Sequence, residues 1–203
     1  MAWLSPIKLV GRVSALEPLS HSHIQDLKDT ANDGELWKLW YTGVPHSDQM
    51  HSEIDRRLKL FETGSMLPFS VVDLKSEKVV GMTTYMNISA PDKRLEIGST
   101  WYGKTVQGTA VNTDCKLLLL RYAFEDKDCN VVEFRTTFHN FQSRKNVEAL
   151  GAKLDGILRN HNVLKDGNDR DACVYSIIKN EWPITKTHLE FRLEKKLLVK
   201  DHS

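Results

Sequence analysis

One stretch of this sequence, Trp101 to Lys127, restricts the possible folds more than any other. An extended segment, residues 94–101, leads into a turn that contains Gly103 and Gly108, and an apolar helix follows the turn. Glycine permits a positive φ or a close backbone approach that residues with a Cβ resist. The order of strand, glycine turn and helix is therefore typical of an α/β chain in which a tight loop begins a buried helix.

The helix after the turn is predicted to cover residues 110–127. Leu117 to Leu120, with Ala123 and Phe124, indicate that it is buried on more than one face. The first amides of a helix have no partner inside it, and the helix dipole favours an anion at that end. We therefore expect residues 106–110 to hold a pyrophosphate. The turn on its own favours an ordinary strand-turn-helix, because short glycine motifs have a high false-positive rate.

The composition is that of a soluble globular chain, with 40% hydrophobic and 27% charged residues. The length of 203 residues fits a single domain, residues 1–203, with a helical tail from about residue 181. The formal net charge of +1 gives no support to a nucleic-acid binder that relies on bulk charge. The N-terminus does not resemble a signal peptide and no apolar run has membrane-spanning length, so we expect a cytoplasmic protein without a membrane partner.

The cysteines and histidines predict neither a disulfide framework nor a metal site. Cys115, Cys129 and Cys173 are far apart and include no C-x-x-C pair, which favours a reducing compartment. The eight histidines show no ligand spacing such as H-E-x-x-H, so we expect no bound metal. His21 and His23 are expected at the surface or in a helix cap.

The pattern of apolar residues and turn signals predicts a mixed α/β chain. The predicted strands cover residues 7–16, 69–72, 79–86, 94–101, 131–137, 153–161 and 171–178, and a turn at residues 165–167 joins the last two. The predicted helices begin near residues 21, 47, 110, 140 and 183. Hairpins lie early and late with a β-α-β-α-β stretch between them, which does not fit a doubly wound fold of repeated βαβ units.

Two short motifs carry more information than the turn alone. The first has the form Arg/Gln-x-x-Gly-x-Gly/Ala; Gly108 and Ala110 occupy its last two defined positions, while Thr105 stands where Arg or Gln is usual. The second has the form Asn-x-x-Ser-Arg/Lys and is matched by residues 140–144. Both motifs lie inside longer stretches that extend the match well beyond a few residues.

With these motifs, residues 95–126, 133–161 and 169–183 make the chain resemble the GNAT superfamily of acyl-CoA-dependent N-acetyltransferases. It is most similar to the RimJ/RimL branch, the ribosomal-protein N-terminal acetyltransferases. The resemblance implies a single mixed, mostly antiparallel central sheet of about six or seven strands, flanked by helices and splayed at the acyl-CoA site. It also implies an enzyme without a metal that moves an acetyl group from acetyl-CoA to a primary amine by direct attack in a ternary complex.

The resemblance assigns acetyl-CoA binding to two groups of residues. The diphosphate is expected on the backbone amides of Val106, Gln107, Gly108, Thr109 and Ala110, with the side chains of Lys104 and Gln107 nearby. Asn140 and Ser143 are expected near the pantetheine arm and the sulfur, and Arg144 at the phosphate end. The departure at Thr105 matters modestly, because backbone amides hold the phosphates.

Acetyl transfer from a thioester to an amine needs a neutral amine, donors for the oxyanion and a proton for the leaving thiolate. Glu96 is the first candidate for the base, because it alternates with Leu95 and Ile97 on the strand before the turn. A salt-bridged strand residue is the alternative role for Glu96. Ser143 is the first candidate for thiolate protonation and Tyr175 the second, against ordinary roles in a helix turn and in packing. No covalent intermediate is required, so no cysteine is nominated as a nucleophile.

The sequence leaves the acceptor and the assembly open. Trp37, Trp40 and Tyr41 either wall the acceptor pocket or pack in the core, and the acceptor is a protein N-terminus, an amino acid, a polyamine or a drug-like amine. Relatives in the resembling family pair through strands or C-terminal helices, which makes a homodimer an expectation. The alternative function is a non-catalytic acyl-CoA-binding module with a regulatory or scaffolding role, which the departure at Thr105 makes conceivable.

Overall fold

The computed structural model describes residues 3–41, 43–163 and 167–200, with side chains as far as residue 198. Its strands are β1 (Leu9–Val10), β2 (Ser14–Pro18), β3 (Met66–Asp73), β4 (Lys78–Ser89), β5 (Arg94–Tyr102), β6 (Val131–Thr137), β7 (Lys153–Val163) and β8 (Asp169–Ile178). Its α-helices are α1 (Ile24–Asn32), α2 (Met50–Glu62), α3 (Ala110–Arg121), α4 (Phe141–Glu148) and α5 (Trp182–Lys200). The strands form one sheet in the order β1-β2-β3-β4-β5-β6-β8-β7, which confirms the mixed α/β class expected from the sequence.

Neighbouring strands of this sheet run antiparallel except for β5 and β6. The chain passes from β5 to β6 through α3, which is the crossover that a parallel pair requires. Residues 94–96 of β5 pair with residues 131–133 of β6, and the pairing ends there although both strands continue. The sheet therefore opens between residues 97–102 and residues 134–137, and we call this opening the wedge.

The single strand predicted over residues 7–16 is wrong. The chain reverses after β1, and β1 pairs with β2 as a short hairpin, which brings the sheet to eight strands. Asp114 of α3 holds the bend, because its Oδ2 accepts hydrogen bonds from the amides of Val13 (2.8 Å) and Ser14 (3.0 Å). A Cβ at Gly11 would lie 2.4 Å from this carboxylate, so any larger residue there would displace it from the bend.

The helix α3 lies at the centre of the larger core. Leu119 and Leu120 are fully buried, as the run of leucines predicted. A π-helical turn, Tyr122–Asp126, continues α3, so the helix predicted over residues 110–127 forms over almost its whole length. Leu189 and Leu193 of α5 belong to the same buried cluster, so the C-terminal helix packs back on α3.

A second core cluster covers the other face of the sheet. Trp101 belongs to it together with residues of α1 and α2, whereas Tyr102 belongs to the larger cluster with α3. Successive side chains of a strand point to opposite faces, which explains this division. The turn predicted at residues 165–167 lies mostly outside the described residues. None of the described helices is long and apolar enough to cross a membrane.

Candidate active site

The open end of the wedge brings together both motifs found in the sequence. The segment 103–109 follows β5 and leads into α3, and we call it the glycine loop. Asn140 follows β6 and begins α4. Because β5 and β6 are parallel and adjacent, the segments that follow them leave the sheet at the same edge.

The glycine loop adopts a conformation that depends on Gly108. Gly108 has φ +76°, and a Cβ built on it would meet no atom within 4 Å, so this residue faces open space. Among the described residues, no hydrogen-bond acceptor pairs with the amides of Gly108 and Ala110. The amides of three other loop residues already donate to protein carbonyls: Val106 to Gly103, Gln107 to Lys104, and Thr109 to Val106. The amide of Val111 donates to Thr109 Oγ1 at 3.3 Å, so the donors available to an anion are the amides of Gly108 and Ala110.

Asp33, at the end of α1, anchors the glycine loop. Its Oδ2 accepts hydrogen bonds from the amide and the hydroxyl of Thr105, both at 2.8 Å, and its carbonyl accepts one from the amide of Lys104. Thr105 therefore ties the loop to α1. This contact gives a physical role to the residue that departs from the family pattern.

The two polar side chains expected near the diphosphate differ in their freedom. Gln107 donates from Nε2 to the carbonyl of Tyr102 at 3.0 Å, within its own loop region. The Lys104 side chain is exposed, and its ammonium makes no hydrogen bond or ion pair with the part of the chain that the structure describes. Lys104 is therefore the side chain of the two that is available to an anion.

The helix α4 carries the second motif. Asn140 caps it, because its Oδ1 accepts a hydrogen bond from the amide of Ser143 at 3.0 Å. Ser143 is half-buried, and its hydroxyl has no partner among the described residues. Arg144 donates from Nε to the hydroxyl of Tyr175 (3.0 Å) and from Nη1 to the carbonyl of Phe138 (3.2 Å). These contacts hold the Arg144 side chain against β8 and the end of β6.

Tyr175 is fully buried and its hydroxyl is engaged on both sides. It accepts a hydrogen bond from Arg144 and donates one to Glu148 Oε1 at 2.9 Å. Burial raises the pKa of Tyr175, and the bond to Glu148 acts in the same direction. The structure thus brings Tyr175 and Arg144 together. The phenol keeps its proton and donates it in the hydrogen bond to Glu148.

Glu96 lies at the closed end of the wedge on the face opposite to Tyr175. Its side chain is 5% exposed. Oε2 accepts a hydrogen bond from Asn87 Nδ2 at 2.7 Å and lies 3.4 Å from Nε of Arg135. Burial raises the pKa of Glu96, while Asn87 and Arg135 oppose the shift and Glu133 adds to it. A buried carboxylate with a raised pKa is suited to accept a proton, although the ion pair with Arg135 also fits a structural role.

A β-bulge interrupts β5 where it borders the wedge. Gly98 pairs with Thr84 and Trp101 with Met82, so Ser99 and Thr100 are opposite a single residue of β4. Ser99 has φ +49°. A bulge leaves backbone groups unpaired and turns them out of the ladder. The bulge therefore leaves backbone groups of Ser99 and Thr100 outside the regular β4–β5 ladder, next to the wedge.

Two buried cations that the sequence analysis missed hold this bulge. Lys116 of α3 donates to Thr100 Oγ1 at 2.9 Å, and burial lowers the pKa of Lys116 to about 8. Arg57 of α2 donates to Thr84 Oγ1 at 2.7 Å and to Glu53 Oε1 at 2.6 Å. Arg57 follows Ile54 by three positions, on the apolar face of α2, so a charge on that face was the available signal.

The aromatic residues of the α1–α2 connection do not pack in the core. Trp40 is 60% exposed, and its ring centroid lies 6.0 Å from that of His139, which precedes α4. Tyr41 packs edge-on against Trp40 at 5.5 Å. The connection therefore reaches the segment after β6, so these rings lie at the mouth of the wedge.

The remaining titratable groups have other environments. All three cysteines are buried and free, and burial raises the pKa of Cys115 and of Cys129 to about 12, which disfavours a thiolate nucleophile. Asp55 on the surface bridges two imidazoles, with Oδ1 at 2.7 Å from His21 and Oδ2 at 2.9 Å from His51. These hydrogen bonds hold His21, His51 and Asp55 together, a grouping that the spacing of the histidines in the sequence did not predict.

A cavity of about 480 Å³ lies behind the glycine loop, between the loop and α1. Its lining includes four acidic residues, Asp26, Asp29, Asp33 and Asp73, against one basic residue, Lys78. Four carboxylates around one cavity repel a diphosphate, so this cavity is a poor site for the phosphate end of a nucleotide carrier. The wedge is therefore the candidate site.

Comparison with known protein families places this geometry in one of them. The family model described as "Acetyltransferase (GNAT) domain" matches residues 15–153. YdaF of Bacillus subtilis (strain 168), whose name gives it provisionally as a ribosomal N-acetyltransferase, is 30% identical over 102 residues, or 50% of this chain and 55% of YdaF. The match thus spans about half the length of this curated relative.

Solved structures share nearly the whole fold. A GCN5-related N-acetyltransferase from Brucella melitensis is 27% identical with a TM-score of 0.84, over 94% of this chain and 86% of that chain. Mycobacterium smegmatis RimJ, solved in complex with CoA-disulfide, has a TM-score of 0.78 over 92% of this chain and 95% of its own. Its identity is 19%, so this likeness shows the fold alone.

Proposed function

The chain belongs to the acetyltransferase (GNAT) family, and from this premise we propose that it transfers an acetyl group from acetyl-CoA to a primary amine. The observation that carries the proposal is the wedge, which has the glycine loop and the start of α4 at its open end. We infer that residues 1–203 act as one catalytic domain, since α5 shares the buried cluster of α3. RimJ was solved in complex with CoA-disulfide, and RimL, a ribosomal L7/L12 α-N-protein acetyltransferase of the same fold, in complex with coenzyme A, which supports the choice of carrier.

The residues of the open end suit the diphosphate of coenzyme A. The amides of Gly108 and Ala110 lack partners among the described residues and stand at the start of α3, where the helix dipole favours an anion. Gly108 leaves open space that a side chain would fill. Lys104 adds a cation without a partner in the described chain. The unpaired edge of β5 beyond Glu96 offers backbone groups to an extended pantetheine arm, as sheet edges do to peptides.

The proposed chemistry is a direct attack. The amine nitrogen bonds to the thioester carbonyl carbon, the C–S bond breaks, and the amine proton leaves to a base. An α-amine has a pKa of roughly 8, so a modest base is sufficient near neutral pH. Glu96 is the proposed base, and the bulge at Ser99 and Thr100 supplies backbone donors for the oxyanion.

The leaving thiolate needs a proton, and Ser143 is the proposed donor: its hydroxyl passes its proton to the sulfur while it takes one from a water molecule. Its hydroxyl has no partner in the described chain and its position in the first turn of α4 is fixed by Asn140. Tyr175 has both hydrogen bonds of its hydroxyl inside the protein, so we infer that it positions Arg144. Arg144 is accordingly proposed to shape the wall of the wedge.

The proposed acceptor is an amine carried by a group that stacks on aromatic rings. Trp40 and His139 approach each other from two sides of the wedge mouth, and Tyr41 extends the same surface. Flat aromatic walls contribute contact area at low entropic cost. A protein N-terminus with an exposed first side chain fits this surface, and so does a small aromatic amine.

A screen of acceptors with acetyl-CoA tests the proposal. Released thiol is measured with peptides that have a free N-terminus, with the same peptides after N-terminal blocking, and with small primary amines. Thiol release that depends on a free amine supports the enzyme. Tight binding of coenzyme A without thiol release from any acceptor identifies a non-catalytic acyl-CoA-binding module instead.

The expected homodimer and the cytoplasmic location stay predictions from the sequence. The strand β7 is at the edge of the sheet and exposes Leu154, Ile157 and Leu158. An exposed apolar edge is a surface on which a second copy can pair. The molecular mass in solution, measured by light scattering, tests the dimer.

A further inference from the structure

The C-terminal helix reaches the glycine loop through one side chain. Lys196 of α5 donates from Nζ to the carbonyl oxygen of Thr109 at 2.8 Å and to that of Gly108 at 3.3 Å. These carbonyls belong to the two residues immediately before α3. Lys196 lies outside the segment matched by the family model, residues 15–153, so the match does not assign it a role.

Because the peptide bond is planar, this contact also fixes the direction of the neighbouring amide N–H. In a trans peptide the C=O of one residue and the N–H of the next lie in one plane and point in opposite directions. The C=O of Thr109 and the N–H of Ala110 share such a unit. When Lys196 binds the Thr109 carbonyl, the amide of Ala110 is fixed on the side that faces away from α5. That amide, the first of α3, and the amide of Gly108 are the two donors at this end of the loop without an acceptor among the described residues.

The second carbonyl completes the arrangement. The C=O of Gly108 shares a peptide unit with the N–H of Thr109, which donates to the carbonyl of Val106 at 3.3 Å. Lys196 on one end and Val106 on the other thus fix this peptide too. Gly108, with φ +76°, is the one residue of the loop that has the backbone freedom of a positive φ, so a contact on its carbonyl limits its alternatives.

The charge of Lys196 is directed at the loop. Within the described residues, no carboxylate lies at salt-bridge distance from its Nζ, although the chain has 27 acidic residues. Burial and the neighbouring Arg192 lower the pKa of Lys196, so the ammonium is costly to hold there unless the loop carbonyls solvate it. An ammonium behind the loop also adds positive potential at the start of α3.

We propose that Lys196 is a positioning residue for the diphosphate of acyl-CoA. It fixes the peptide units that contain the carbonyls of Gly108 and Thr109, so that the amide of Ala110 faces the phosphates. The inference rests on the proposed function. It adds that a side chain of the C-terminal helix, outside the matched residues 15–153, sets the affinity for the phosphate end of the carrier.

The test compares Lys196→Met with Lys195→Met. The two variants remove the same charge from adjacent positions of α5, but Lys195 is exposed and lies 4.6 Å from the ring of Phe191. Dissociation constants for coenzyme A are measured by calorimetry, and steady-state rates are measured with acetyl-CoA and with acetyl-pantetheine, which has no diphosphate. Lys196→Arg, which keeps a donor and a charge, is the conservative variant.

Lys196→Met is expected to raise the Kd for coenzyme A about tenfold, as for loss of a charged hydrogen bond at a helix start. The KM for acetyl-CoA rises with it while kcat is kept, and Lys196→Arg recovers most of the affinity. The rates with acetyl-pantetheine stay at the wild-type level. A purely structural role would lower thermal stability and the rates with both thioesters together, and that result overturns the inference.

Equal Kd values for Lys196→Met and Lys195→Met, with wild-type protein that binds coenzyme A, overturn the inference and leave the proposed function standing. Failure of the wild-type protein to bind coenzyme A at all overturns the proposed function and the inference with it.

Discussion

Replacement of Glu96 by glutamine separates its two possible roles, because turnover and stability are expected to change in opposite directions. Glutamine keeps the shape of the side chain and an oxygen that accepts the hydrogen bond from Asn87, now 2.7 Å from Glu96. Arg135 keeps Glu133 as a partner at 3.0 Å. The variant is therefore expected to fold, and what it loses is a group that can take up a proton.

The expected loss of activity follows from the need to remove a proton from the acceptor amine. A general base contributes about 100-fold or more to rate, so kcat/KM at pH 7 is expected to fall by about 100-fold. The Kd for coenzyme A should stay at the wild-type value, because Glu96 lies on the face opposite to α4 and at the closed end of the wedge. The defect should shrink above about pH 8, where an α-amine is already neutral.

The thermal stability of Glu96→Gln is expected to rise, whereas its turnover falls. Burial raises the pKa of Glu96 in the folded protein above its usual value of 4.5. A carboxyl group with a raised folded pKa contributes stability that is present below its unfolded pKa and is lost as the pH rises through the folded pKa. At pH 7 the wild-type protein therefore carries a cost that glutamine removes. A higher Tm for Glu96→Gln than for wild type is therefore expected at pH 7, and no difference near pH 4.

The assay measures released thiol across pH 6 to 9, with Tm and coenzyme A affinity on the same samples. Glu133→Gln is the matched control, since Glu133 pairs with Glu96 across β5 and β6 and contacts the same Arg135. A folded Glu96→Gln protein whose kcat/KM at pH 7 is within about threefold of wild type would refute the assignment of the base.

Three further outcomes follow from the site. Asp33→Ala removes two hydrogen bonds to Thr105, so it should loosen the glycine loop and raise the Kd for coenzyme A while kcat is preserved. Calorimetry measures the Kd and steady-state kinetics measure kcat. An unchanged Kd would argue against Asp33 as the anchor of the loop. Tyr175→Phe should lower Tm, because Arg144 loses its hydrogen bond to the phenol, and should leave kcat within about twofold. Both hydrogen bonds of the phenol go to protein side chains, so it is not free to act on the thiolate. A large fall in kcat with unchanged Tm would make the phenol the proton donor. Lys116 has its folded pKa lowered from 10.5 to about 8, so the stability it contributes is present above about pH 10.5 and is lost as the pH falls through about 8. Lys116→Met should accordingly be more stable than wild type at pH 7 and lose that advantage by pH 10 in urea titrations, and a constant difference would contradict the burial of a charged amine.

Local pattern was sufficient for the parts of the fold that depend on near neighbours. The four leucines of α3 predict its burial, and the strand at residues 131–137 is found with the predicted bounds. Gly108 and Asn140 also act locally, the first through its positive φ and the second as the cap of α4. Each of these features is decided within one turn or one strand, which is the range that periodicity and capping rules describe.

The features that sequence reasoning missed depend on contacts between distant parts of the chain. The hairpin at the N-terminus exists because Asp114, 101 residues after Val13, holds its amide. Asp33 reaches Thr105 from α1, and Lys196 reaches Thr109 from α5. In each case a polar side chain satisfies backbone groups of another element, and no local periodicity reports such a partner.

The central claim is that the glycine loop holds the diphosphate of acetyl-CoA, and the affinity of Gly108→Trp for coenzyme A tests it most directly. Gly64→Trp is the matched control, because Gly64 has φ +75°, faces open space as Gly108 does, and follows α2. Both variants share the backbone strain of a side chain at positive φ, so their difference reports occupation of the site. Gly108→Trp is expected to weaken binding of coenzyme A by at least about 100-fold while Gly64→Trp binds as wild type does. Equal affinity of a folded Gly108→Trp protein and wild type would contradict the claim.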